Sequence, residues 1–421
     1  METADLLIYN ASELTTMKGH SPKVGNDMKS IGSLKNGAIA SFKGKIVAVG
    51  TLEAVMSLTQ FVPEVQKIDA QGKLVTPGLV DAHTHLIFAG SRENEYVMKI
   101  IDGLSYEEIE ASGGGVMATV RQTRNADINA LVVQARRVLG RMLMNGTTTI
   151  EAKSGYTLQT DGEIKLLETM QKLNSEGPIE IVPTLFGAHD IPLEFKDNPD
   201  GFLDLIIHEM IPEVAKRNLA CFCDSGVTFP PEQTELIFEA AKSNGMRVKV
   251  HSDEFHNAGG AALAAKCNAI SAEHCLNSSD EDIKAMSEKG VIAVVLPAVP
   301  LVHKLKHFSD ARRFIDQGMA VALGTDFNPS CLVDSMPLVM SLGCYCAGMT
   351  PAEALTAATI NAACAIGKEN TVGSLDLGKQ MDLVIWNITN HVKLTEPLGG
   401  AQAHTVIKKG AVVFKQDNPY Q

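Results

Sequence analysis

Eight short apolar or β-branched runs recur through the middle of this chain, alternating with stretches that carry amphipathic-helix periodicity. They span residues 74–82, 147–152, 179–186, 219–223, 247–251, 269–273, 291–296 and 320–323. Near-continuous apolar runs of this length suit strands buried on both faces, as in a parallel sheet covered by helices. Eight such units predict an α/β fold in which the sheet closes into a (β/α)8 TIM-like barrel.

The helices carry their own punctuation. Asp127 is placed to cap a helix whose stripe is Ile128, Leu131, Val132, Leu139, Met142 and Leu143, ending near Gly146. Ser278 with Glu281 reads as a capping box, and Thr350-Pro351-Ala352-Glu353 combines a cap with Pro at the first helical position. Gly290 and Gly367 are the expected stops of those two helices. Between the first two strands, residues 86–125 exceed an ordinary βα loop, and insertions of that size are commonly functional. The Gly113-Gly114-Gly115 triplet inside it lacks the G-x-G-x-x-G and G-K-[ST] patterns of phosphate loops, so it reads as a hinge or tight turn.

Flanking the barrel region, β-rich runs at 6–9, 37–42 and 45–49 resemble those at 382–386 and 403–414. The two ends are expected to pair into one small β-sandwich-like domain. This divides the chain into 1–75 and 381–421 for the small domain, with 76–380 for the barrel.

Lys and Arg total 37 against 49 Asp and Glu, a net charge of −12. That balance disfavours nucleic acid and anionic membrane as partners, and a small anionic ligand would need a local cationic pocket. No apolar stretch approaches the roughly 20 residues of a membrane span, and METADLLIYN has no basic head, so a cytoplasmic protein is expected. Its eight cysteines form no C-x-x-C pair and read as reduced thiols, with Cys221 and Cys223 in the core and Cys344 and Cys346 on a helix.

The chemistry concentrates at strand ends. His83-Thr84-His85 closes the first strand, and alternation points both imidazoles the same way. A two-residue pattern recurs by chance, but His251, His274 and Asp326 stand at the ends of other strands, on the face where barrels build active sites. Imidazoles with one carboxylate suit a borderline divalent ion such as Zn2+ or Fe2+, with one position left for water. Glu254, three residues past His251, is a candidate proton shuttle, with Asp253 beside it. His303 and His307, interleaved by Lys304 and Lys306, read as solvated surface, and His256 finds no place.

Together these residues resemble the amidohydrolase superfamily of metal-dependent barrel hydrolases over nearly the whole chain, including the exit Gly373-Ser374-Leu375-Asp376-Leu377-Gly378-Lys379-Gln380-Met381-Asp382-Leu383-Val384. Two-metal members generally use a carboxylated Lys at the fourth strand, and residues 219–224 offer none, so one metal per chain is implied. The motifs Gly90-Ser91-Arg92-Glu93-Asn94-Glu95-Tyr96, Lys153-Ser154-Gly155-Tyr156, Phe186-Gly187-Ala188-His189, His251-Ser252-Asp253-Glu254-Phe255 and Gly324-Thr325-Asp326-Phe327-Asn328-Pro329 narrow the resemblance. They are similar to members that open the ring of 4-imidazolone-5-propanoate to N-formimidoyl-L-glutamate by attack of metal-bound hydroxide on the ring carbonyl. The resemblance implies that His83, His85, His251 and Asp326 hold one Zn2+ or Fe2+. It implies that His274 faces the water or the reacting carbonyl, and that Glu254 rather than Asp253 moves the proton. Arg92, Tyr156, His189, Glu254, Asn328 and the backbone around Ser330 and Cys331 would contact substrate, although the family more often has Gly followed by Ser or Thr at those last two positions. A homodimer is also implied. A ring deaminase of the same superfamily and a catalytically inert barrel are the rival readings.

Overall fold

The computed structural model describes residues 1–226 and 228–416. Eight parallel strands run in chain order through Leu79–Asp81, Thr147–Lys153, Glu180–Ala188, Phe222–Ser225, Arg247–Ser252, Ser271–His274, Ile292–Val295 and Val321–Leu323. Each pairs with its neighbour in sequence, and the first and eighth meet through irregular backbone. At that seam the Ala82 amide donates to Leu323 O at 3.4 Å, the Asp326 amide donates to His83 O at 3.0 Å, and Thr84 bridges Phe327. The result is a (β/α)8 barrel whose large apolar core lies between the strands and the surrounding helices.

The run 74–82 is not one strand. It divides at Gly78 into Leu74–Pro77, which joins the terminal sheet, and Leu79–Asp81, which enters the barrel. The division has a steric cause: Pro77 has no amide to donate, and a Cβ at Gly78 would come within 2.3 Å of Thr148 Oγ1. Leu74–Pro77 pairs with Glu2–Thr15 on one side and with Leu383–Trp386 on the other. Both ends of the chain therefore share one eight-stranded sheet. Alternation along Glu2–Thr15 sends Leu6 and Ile8 towards Val75, Leu383 and Ile407, and sends Leu7 to the opposite face beside Ala38 and Val55.

Helix Ile128–Met144 starts at Asp127, whose carboxylate accepts from the Ala130 amide at 2.9 Å, and it buries the expected stripe except Ile128 and Leu143, which are half-buried against the core. Thr350 and Glu353 form the expected capping box on Pro351–Ala357. The other box is displaced by one residue, to Ser279 and Asp282 on Asp280–Lys289, because the Ser278 hydroxyl is already committed to Asp253 Oδ2 at 2.7 Å. Gly290 ends that helix at φ +69°, whereas Pro351–Ala357 stops at Ala358 and Gly367 instead follows the next helix, Ile360–Ala365. Within the insertion, the Gly triplet makes the turn between helices Tyr106–Ala111 and Gly115–Asn125, with Gly113 at φ +94° and Gly115 at φ +68°.

The eight cysteines are unpaired. Cys223 is buried as expected, but Cys221 precedes the strand Phe222–Ser225 and is exposed, which corrects its assignment to the core. Cys344 and Cys346 lie on helix Met336–Ala347. Among the described residues, no helix is long and apolar enough to cross a membrane.

Gly146 joins the two units. It sits at φ +86°, its carbonyl accepts from the Leu79 amide at 3.0 Å, and a Cβ there would lie 2.6 Å from Cη2 of the fully buried Trp386. Gly146→Ala is expected to destabilise the protein by about 1–3 kcal/mol in urea denaturation. An unchanged midpoint would show that the junction accommodates a side chain without strain.

Candidate metal centre

His83 and His85 follow the first barrel strand, His251 lies in the fifth, His274 ends the sixth, and Asp326 follows the eighth. All five are buried and their polar atoms converge. Nε2 of His85 lies 3.3 Å from Nε2 of His83 and 3.4 Å from Nε2 of His251. Oδ1 of Asp326 lies 3.3 Å from His83 Nε2 and 3.5 Å from His85 Nε2. The His274 ring stands beside this group, its centroid 5.2 Å from that of His251 and 5.5 Å from that of His83.

These spacings fit a metal ion. Tetrahedral bonds of the usual Zn–N length separate ligand atoms by about 3.3 Å. The Asp326 Oδ1 atom is buried without a hydrogen-bond partner, a costly condition for a carboxylate oxygen unless a cation satisfies it. His83 Nδ1 lies 2.6 Å from Glu273 Oε2, so its proton sits on Nδ1 and its Nε2 lone pair faces the cluster. Burial, with Lys153 and His251 adding to it, holds His83 well below the ordinary imidazole range. His85 is lowered by burial and then by His251. Neutral imidazoles are the ligand form.

Beneath the cluster runs an ionic layer that sequence reasoning missed. Glu273 Oε1 accepts from Ser271 Oγ at 2.5 Å and lies 3.1 Å from Lys249 Nζ. Lys153 Nζ lies 2.8 Å from both Glu151 Oε1 and Asp224 Oδ2, and the latter oxygen is 3.1 Å from His251 Nδ1. Asp81 accepts from the Thr325 amide at 3.0 Å and from its hydroxyl at 2.6 Å. A signal existed in Glu151 with Lys153 and in Lys249 with His251: polar residues two apart in apolar strands share one face. For Glu273 the only such signal is Ser271, two residues earlier, and its neighbour His274 draws attention to the other face. His274 adopts φ +66°, which breaks the alternation and lets both side chains face the interior.

Above the cluster is a pocket of about 460 Å³. Arg92, Tyr156, His189, Glu254, Asn328 and Ser330 all line it with His85, His251, His274 and Asp326. Arg92 is buried and held by Nε donating to Thr119 Oγ1 at 2.8 Å. His189 Nδ1 is 2.8 Å from Gly155 O, and burial together with His251 lowers this imidazole to about 3. Burial and the charge of Asp326 push Glu254 up to about 8, with Oε2 3.8 Å from His274 Nε2. Asp253 serves the loop instead, accepting from the Ala258 amide at 3.0 Å and the Gly260 amide at 3.1 Å.

Cys331 keeps its side chain away from the pocket. Its thiol is buried beside Ala298 and Leu342, 3.8 Å from Thr325 O, outside the pocket lining, and its amide donates to Asn328 Oδ1 at 3.0 Å. His303 is corrected by the structure. Helix Ala298–Val302 ends where the chain turns over the barrel mouth, so His303 is half-buried in the pocket wall, edge-on to Tyr106 at 5.6 Å. His307 remains exposed, as does His256, which lies outside the pocket. Tyr106 and Phe255, stacked at 5.7 Å, complete the wall; Tyr106 carried no sequence signal, because it sits outside the strands, and Phe255 closed a family motif without a role assigned to it.

The model of the Amidohydrolase family matches residues 74–413. The chain is 46% identical to an imidazolonepropionase of Geobacillus sp. (strain WCH70), covering 97% of this chain and 98% of the relative. It is 47% identical to the imidazolonepropionase of Geobacillus kaustophilus, covering 99% of each chain. In fold it is similar to a mutant atrazine chlorohydrolase from Arthrobacter aurescens complexed with zinc, with a TM-score of 0.73 at 18% identity over 97% of this chain and 95% of that one.

Glu273→Gln should weaken metal retention by about 10–100-fold, since His83 loses the partner that fixes its tautomer. Competition with a chromogenic chelator measures this without reference to activity. Retention equal to that of the unmodified protein would remove Glu273 from the positioning of His83.

Proposed function

The chain belongs to the amidohydrolase family, and within it we infer a hydrolase that opens the ring of 4-imidazolone-5-propanoate to N-formimidoyl-L-glutamate. The observation that carries this reading is the likeness to imidazolonepropionases over nearly the full length of both chains. The pocket supplies its chemical reason: a buried guanidinium and a buried carboxyl group share one small cavity with a convergent set of ring nitrogens.

His83, His85, His251 and Asp326 are the residues assigned to the metal. Three nitrogens and one carboxylate oxygen suit Zn2+ or Fe2+, and elemental analysis of the purified protein decides between them. A divalent ion held there supplies Lewis acidity that activates water at neutral pH and favours the ionised form of Glu254. The remaining roles fall to side chains. Arg92, itself buried, offers a planar fork of donors to the propanoate, a strong charge-assisted pairing. Tyr156 and His189 flank the ring and hold its carbonyl carbon towards the cluster. As water adds to that carbon, Glu254 accepts its proton and His274 stabilises the charge developing on the carbonyl oxygen. Glu254 then returns the proton to the departing ring nitrogen, the C–N bond breaks, and a second carboxylate is formed. The reading extends to a cytoplasmic homodimer, whose assembly state sedimentation would establish.

Turnover of freshly prepared imidazolonepropionate, followed by loss of its ultraviolet absorbance, should vanish on chelation and return with Zn2+ or Fe2+, with no ammonia released at the first step. Ammonia release would identify a deaminase instead. Glu254→Gln should lower kcat by about 10²–10⁴-fold with metal content unchanged. Near-normal turnover of that variant, metal-replete, would exclude Glu254 as the proton carrier.

A further inference from the structure

Two larger cavities adjoin the catalytic pocket. One, of about 1020 Å³, shares Arg92, Tyr106 and Ser330 with it, and the other, of about 1390 Å³, shares Tyr106, Glu254, Phe255 and His303. Lys99 lines both, at the second position of the π-helical turn Met98–Asp102 within the long insertion. It is only 7% exposed. Among the described residues, its ammonium has no carboxylate within 4.0 Å and no hydrogen-bond acceptor. Glu95, whose charge acts on it from beyond pairing distance, accepts from the Gly115 amide at 3.1 Å and lies 3.9 Å from Arg92 Nη1.

A lysine this deep is ordinarily paired, because an unpaired buried charge is costly. Lys99 meets the opposite condition. Burial, the largest cause, draws the ammonium below its usual range; Cys331 and Glu95 oppose that shift without cancelling it, and Arg92 adds a smaller repulsion. The larger cavity is also rimmed by Lys304 and Lys306 against Glu108 and Glu254, so cations outnumber carboxyl groups there on a chain whose net charge is −12. Such a local field concentrates small anions.

We propose that Lys99 is an anion-receiving site on the approach to the catalytic pocket, pairing with the carboxylate of a small carboxylic acid as it passes to or from Arg92. The ligand class follows from the geometry: one buried ammonium beside a guanidinium, in cavities large enough for a small acid. Its assignment to substrate and product rests on the ring-opening reading above. Ring opening doubles the number of carboxylates on the ligand, so the product presents a second group for Lys99 to hold while Arg92 keeps the first.

Lys99→Met retains the apolar stem and removes the charge, and Lys99→Arg retains the charge. Glutarate is the probe, measured as a competitive inhibitor and by calorimetry on the metal-replete enzyme. Lys99→Met should raise KM and the glutarate Ki by about tenfold, the loss falling on KM rather than kcat, and Lys99→Arg should restore both. Unchanged KM and Ki in Lys99→Met, with an unchanged melting temperature, would overturn the proposal. So would an equal defect in Lys99→Arg, which would mark a requirement of shape. If the unmodified enzyme fails to turn over imidazolonepropionate while glutarate still binds in a Lys99-dependent way, the substrate reading falls and the anion site stands.

Discussion

The rest of the structure depends on the closure of the barrel between its first and last strands. No regular ladder joins them. The seam is made by Asp81, which accepts two hydrogen bonds from Thr325, and by the Asp326 amide donating to His83 O. The Asp81–Thr325 contacts join residues 244 positions apart, and the seam places two imidazoles and a carboxylate across from one another. Closing the barrel and assembling the proposed metal ligands are one event. A polar seam is affordable here because each of its donors meets an acceptor, the condition under which buried polar groups stabilise.

A second consequence concerns what lies under the ligands. Lys153 and Lys249 are fully buried, and each is matched to carboxylates that also touch a ligand imidazole, Asp224 for His251 and Glu273 for His83. Buried ion pairs are poor sources of stability, so a layer of them beneath a site is better understood as orientation. At His83 the effect is to fix the ring tautomer and leave a lone pair facing inward, where burial keeps that imidazole neutral.

What the sequence disclosed follows the regularity of strands. The eight runs, the His83 and His85 pair, and the placing of His251, His274 and Asp326 at strand ends were readable because alternation and barrel topology are strict. Helix starts were readable to within one residue, the error at Ser278 arising because a distant carboxylate claims its hydroxyl. Legibility failed where the backbone leaves that regularity. Gly78 divides an apolar run between two sheets, His274 at φ +66° hides the role of Glu273, and His303 reaches the pocket from a loop. Arg92, Tyr156 and His189 were nameable only through the family resemblance, since nothing in their local pattern separates them from surface or packing residues.

The first barrel strand, Leu79–Asp81, spans only three residues. A ladder so short specifies its own register weakly, and a slip of one residue would turn His83 and His85 out of the barrel. The segment just before it, Leu74–Pro77, is clamped between strands from the two ends of the chain. The terminal sheet thus acts as a stop that sets the phase of the ligand-bearing strand. Core substitutions around Val75 and Leu383, far from any reacting atom, bear on the metal site through alignment rather than contact.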